Sequence, residues 1–108
     1  DYTNDLIEAL NHSKGYDWFC LATAIADQAL LLTGVFSDLI YSRQQRRAAP
    51  GLNYYETIGR SHYRTASQHR LADEFELKET LLGLSEDFPK VRGVLNRIKE
   101  EYLKLGNN

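Results

Sequence analysis

Apolar residues recur at helical spacing along almost the whole chain, and no stretch alternates apolar and polar residues long enough to argue a strand. This pattern predicts an all-α, single-domain helical bundle of four to six helices. The segment from Trp18 to Leu32 makes the strongest case. There Trp18, Leu21, Ala22, Ile25, Ala29 and Leu32 form a wide apolar face, leaving Cys20, Thr23 and Asp27 on a narrow opposite stripe. A helix so apolar belongs at the centre of its bundle. At 108 residues the chain has room for one modest core and little for a deep catalytic cavity.

Punctuation along the chain places the other elements. A first helix is expected from about Thr3 to His12, with Leu6, Ile7 and Leu10 inward and Gly15 as its stop. Asp17 is expected to cap the second helix, Thr33 and Gly34 to end it, and Ser37 to cap a shorter one through Leu39, Ile40 and Tyr41 into Arg43 and Gln44. Ala49, Pro50 and Gly51 read as a linker near residues 48–52. Asn53 and Glu56 have capping-box spacing and open a helix to about Arg70. After a turn near His69, Leu71 to Leu84 continues as helix. In the last helix Phe88, Val91, Leu95, Ile98, Tyr102 and Leu105 alternate spacings of three and four, with Pro89 in the first turn, where its missing N–H costs little. The expected core is Trp18, Leu21, Ile25, Leu32, Ile58, Phe75, Leu95 and Ile98.

Cys20 is the only cysteine, which excludes an internal disulfide framework and any Cys-based zinc cluster and fits a reducing, cytoplasmic compartment. Asp27 and Gln28 interrupt the longest apolar run before it could cross a membrane. The sequence begins at Asp1 and contains no Met, so a processed chain or a piece of a longer one is expected. Net charge is −2, but it is unevenly distributed. Residues 1–42 carry six acids against Lys14, whereas residues 43–70 carry Arg43, Arg46, Arg47, Arg60, Arg64 and Arg70 against Glu56 alone.

The run Leu52 to Ala66, with Leu32-Thr33-Gly34-Val35-Phe36 upstream and Phe88-Pro89 and Val94-Leu95-Asn96 downstream, resembles a group of small uncharacterised bacterial helical proteins. In that group a Thr-Gly-Phe-Phe-like element precedes a Tyr-Tyr-x-x-(Ile/Met)-Gly-x-x-x-Tyr helix. Val35 stands here where that element has its first aromatic. The resemblance implies a bacterial helical protein and no known activity.

Signals for chemistry are sparse. On a helical wheel Tyr55, Ile58, Gly59, His62, Ala66 and His69 share one face, so His62 is read as a buried polar group satisfied by a carbonyl or hydroxyl rather than as a base. His62 and His69 lie roughly 10 Å apart along the axis, too far to share a metal unaided, and no Glu-x-x-His pair exists for a di-iron bundle. Neither a metal nor a cofactor is expected. Arg64 and His69 match the loose spacing of HEPN-type ribonucleases, and that resemblance would make them a catalytic pair, but they stand about 140° apart on the wheel. Tyr55, Ile58, Gly59 and Phe75 echo one imperfect tetratricopeptide unit, with His62 where its tyrosine belongs. No Gly-x-Ser-x-Gly elbow or phosphate-cradling loop occurs.

The arginine island with its neighbouring tyrosines carries the functional expectation, because arginine binds carboxylates, phosphates and aromatic faces in ways lysine does not. A non-enzymatic protein-interaction or regulatory module is expected, contacting a protein partner or a second copy through Arg43, Arg46, Arg47, Arg60, Arg64, Tyr41 and Tyr54. The alternative is a nucleic-acid binder using segment 43–70. Overall acidity, with a pI of about 5.9, weighs against it.

Overall fold

The computed structural model describes residues 2–47 and 49–106; the side chain of Arg47, among the candidate contacts, and Ala48 of the expected linker lie outside the described residues. Seven helices and no strand are found among them: α1 (Tyr2–Asn11), α2 (Gly15–Gly34), α3 (Ser37–Arg47), α4 (Leu52–Ser67), α5 (Arg70–Glu74), α6 (Lys78–Glu86) and α7 (Phe88–Gly106). The all-α expectation holds, but the count exceeds four to six.

The additional helix has a local cause. The stretch after His69 does not run on to Leu84, because α5 ends in a Schellman motif: Leu77 N–H donates to Ala72 O at 2.7 Å and Glu76 N–H to Asp73 O at 3.1 Å. That motif requires a left-handed residue, and Glu76 takes the role at φ 57°. His69 opens α5 as its cap, its Nδ1 accepting from Leu71 N–H at 3.1 Å.

Other starts fall earlier than the cap residues suggested. Asp17 lies in the first turn of α2, where a carboxylate complements the helix dipole, and Lys14 precedes the helix with no side-chain cap. Ser37 is the first residue of α3, whose opening carbonyl belongs to Phe36. Gly51 precedes α4 without a side-chain cap, so Asn53 sits inside the helix.

The core is built on α2 and α4. Ala22, Ile25, Ala26, Ala29 and Thr33 are buried along α2, and Tyr55, Gly59, Tyr63, Ala66 and Ser67 along α4. Small residues let the two backbones approach closely. Gly59 has no room for more: a Cβ there would lie 2.4 Å from Phe88 Cε2 and 3.1 Å from Ala29 Cβ. Phe88, at 0% exposed, plugs this junction from the first turn of α7. Farther on, α7 is tied down by Arg92 Nε to Glu56 Oε1 at 3.0 Å, Asn96 Nδ2 to Gly34 O at 3.3 Å and Lys99 Nζ to Asp38 Oδ2 at 3.5 Å.

Two expected core residues are corrected. Phe75 is 50% exposed because it follows α5 at the surface, touching Phe19 and Tyr16 by ring contacts only. Ile98 is 60% exposed because it lies on the outer side of α7 while Leu95 and Lys99 face the body, and residues 100–106 are all exposed. Trp18, Leu21, Leu32 and Ile58 are half-buried and packed against the core, and Ile25 is fully buried. No single helix among the described residues is long and apolar enough to cross a membrane; α2 and α3 satisfy the length and composition only as a pair bent by 84°.

Candidate functional site

The described arginines of the island are not all free for one surface. Arg60 is half-buried and spent on the fold: its Nε donates to Ser85 O at 2.9 Å and its Nη2 to Glu86 O at 3.4 Å, capping the C-terminus of α6. Ser85 Oγ returns a hydrogen bond to Arg60 O at 2.8 Å. Arg43, Arg46 and Arg64 are exposed and pair with no carboxylate among the described residues; Arg46 reaches only Ser42 O of its own helix. Arg64 lies twelve residues beyond Leu52, roughly 18 Å along α4. On α3, helical rotation turns Arg43 and Arg46 well over 90° from the direction midway between Tyr41 and Gln44.

Tyr41 and Tyr54, in contrast, meet. They line one cleft of about 380 Å³ with Gln44, Gly51, Leu52 and Asn53, formed where the chain reverses from α3 into α4. Tyr41 is 53% exposed and Tyr54 39% exposed. Tyr54 is partly fixed, its ring edge-on to Tyr55 at 5.1 Å and its hydroxyl donating to Asn4 Oδ1 at 3.4 Å. The cleft therefore offers two amphipathic rings, one of them preorganised, beside the Gln44 amide.

His62 is half-buried, with Nδ1 2.7 Å from Ile58 O of its own helix and 3.4 Å from Ser61 Oγ. The inward-facing residue beside it is Tyr63, whose hydroxyl donates to Asp27 Oδ1 at 2.6 Å. Burial first, and then this bond and the Asp27 charge, raise the Tyr63 hydroxyl well above the ordinary value of 10.0. Stability from this group is complete below pH 10.0, where both states hold the proton. Above it the unfolded chain releases a proton that the folded chain keeps, so stability falls by up to about 1.4 kcal/mol per pH unit until the folded value is reached. Urea titrations of Tyr63→Phe should show a loss of about 1 kcal/mol at neutral pH and a shallower alkaline decline than the parent. An unchanged alkaline slope would remove Tyr63 as its source.

His69 is likewise occupied: its ring stacks on Trp18 at 5.4 Å and 17° and lies 5.6 Å from Phe19, while Nδ1 caps α5. No hydrogen bond or ion pair joins it to Arg64 among the described residues. No group of three His, Cys, Asp or Glu placed to hold a metal ion occurs among them either. Comparison of the chain with protein-family models, with characterised proteins and with solved structures gives no match.

Proposed function

We propose that this chain is a non-enzymatic helical interaction module that docks a segment of a protein partner into the cleft between α3 and α4. The observation that carries this reading is the convergence of Tyr41 and Tyr54, thirteen residues apart in sequence, on one cleft with both rings partly exposed. Tyrosines supply large contact area and a polar tip at low entropic cost, which is why they serve as anchors. A reducing, cytoplasmic setting and kinship with the small bacterial helical proteins belong to the same proposal, supported by the lone Cys20 and the Tyr54-Tyr55 motif.

The exposed arginines that pair with no carboxylate support a second reading, nucleic-acid binding. The engagement of Arg60 with α6 and the distance of Arg64 from the α3–α4 turn weigh against it. Two titrations separate the readings. Peptides selected from a displayed library against the chain should bind it, lose affinity about tenfold or more to the Tyr41→Ala, Tyr54→Ala double variant, and keep most of it between about 50 and 200 mM salt. Mixed RNA and DNA over the same salt range should bind no tighter than micromolar. Submicromolar nucleic-acid binding at about 50 mM salt that disappears in the Arg46→Glu, Arg47→Glu variant would reverse the choice.

A further inference from the structure

We propose that the projecting end of α7 is the contact surface for a second copy of this chain, packed antiparallel across a twofold axis near residues 99–100. This extends the interaction-module reading by naming a partner at a second face, and it does not depend on what occupies the cleft.

Val94, Ile98, Tyr102 and Leu105 form one apolar stripe along this end, and they are 48%, 60%, 74% and 74% exposed. With Arg97 and Glu101 they make up one continuous outer face of the helix. The core cannot use them, because the face of α7 turned to the body carries Phe88, Arg92, Leu95 and Lys99 instead. Past Lys99, residues 100–106 are all exposed, with none of the described residues covering the helix. Its apolar residues nevertheless keep the three-and-four spacing of a helix that packs against another helix.

The order of the side chains selects the occupant. In an antiparallel pair the same edge of each helix meets itself, and residues whose numbers sum to about 199 stand opposite one another. That register sets Val94 against the second copy's Leu105, Ile98 against Tyr102, and Arg97 against Glu101, each contact made twice by symmetry. The charges on the edge of the stripe thus become two ion pairs between copies. Among the described residues of one chain, Glu101 has an exposed contact with Lys104 at 3.7 Å, which is cheaply given up. A parallel pair makes no such match, for it brings the Arg97 and Glu101 edge against the opposite edge, where Tyr102 lies. The area at stake is on the order of 1,000 Å² in total, near the lower bound for a specific interface, so a micromolar dimer is expected.

Sedimentation velocity on the full chain from about 5 to 500 µM should show a reversible monomer–dimer equilibrium. Ile98→Asp and Tyr102→Asp should remain monomeric throughout with unchanged helical circular dichroism. Arg97→Glu and Glu101→Arg should each weaken the dimer about tenfold, and the two together should restore it, since the swapped charges again face each other. The Tyr41→Ala, Tyr54→Ala variant should dimerise like the parent. A chain that stays monomeric over the whole range, or a dimer indifferent to Ile98→Asp, overturns the proposal. A double swap as weak as its singles overturns the antiparallel register, and loss of the dimer in the cleft variant moves the self-contact to α3 and α4.

Discussion

Phe88→Ala is expected to destabilise the chain by about 3–5 kcal/mol, and Gly59→Ala by about 1–3 kcal/mol, but the two together should cost much less than their sum. Phe88 is fully buried, and its ring stands over Gly59 with Ala29 behind it and Tyr63 at 6.2 Å between ring centres. Removing the ring leaves a cavity at the meeting of α2, α4 and α7. Adding a methyl at Gly59 drives an atom to 2.4 Å from the ring, and the gain in helix propensity of at most about 1 kcal/mol cannot offset that overlap. Once the ring is gone the overlap is gone too, and the new methyl fills part of the cavity. In a Phe88→Ala background, Gly59→Ala should therefore be neutral or stabilising. Urea unfolding of the four proteins measures the coupling, expected to be at least about 1 kcal/mol. Additive costs would mean that Gly59 does not set the approach of α7 to α4.

The second large effect concerns residues that look equivalent in sequence. Ile25→Ala should cost about 2–5 kcal/mol and Leu95→Ala about 1–3 kcal/mol, whereas Ile98→Ala and Phe75→Ala should each cost less than about 1 kcal/mol. Ile25 is 1% exposed in the middle of α2, and Leu95 packs against Gly34, its Cβ only 3.0 Å from where a Cβ on that glycine would stand. Ile98 continues the spacing of Leu95 but lies on the outer side of α7, turned from the body that Leu95 and Lys99 face. Thermal unfolding at low protein concentration, where the monomer dominates, compares them. Equal costs for Leu95→Ala and Ile98→Ala would show that the outer side of α7 is packed in the monomer as well.

Those two residues also mark how far the sequence could be read. Helical periodicity was sufficient for the all-α class, for the central α2 and for Pro89 in the first turn of α7, because each is a local property of spacing or backbone chemistry. Periodicity says which residues of a helix share an apolar face, and says nothing about how much of that face the body covers; Leu95 and Ile98 share one seam, and the body covers only the Leu95 side of it. The break after α5 was invisible because left-handed positions are sought at glycine or asparagine, and this one is Glu76. On α4 the inward face is rotated by roughly 60° from the one the wheel gives, which puts Tyr63 in the core and leaves His62 at its edge.

Site residues divide along similar lines. An arginine's charge is legible in sequence but its partner is not, and Arg60 was grouped with exposed cations although it closes α6 across 25 residues of sequence. The pairing of Tyr41 with Tyr54 depends on the chain reversal between α3 and α4, which no spacing within a helix reports. One signal could have separated them earlier: Tyr41 and Gln44 are three apart on α3, and rotation alone turns Arg43 and Arg46 away from them.

Hydrogen exchange measured residue by residue at two protein concentrations tests most directly the central claim, that the apolar surface this fold leaves uncovered serves contact between molecules. Amides buried in the core of α2, in α4 and in the first half of α7 should be protected equally at about 5 and 500 µM, since their protection comes from the chain's own fold. Amides of residues 100–106 should exchange fast at the lower concentration and gain protection of about tenfold or more at the higher, and Ile98→Asp should abolish that gain. Fast exchange of residues 100–106 at both concentrations, or strong protection already present in the dilute monomer, would contradict the account.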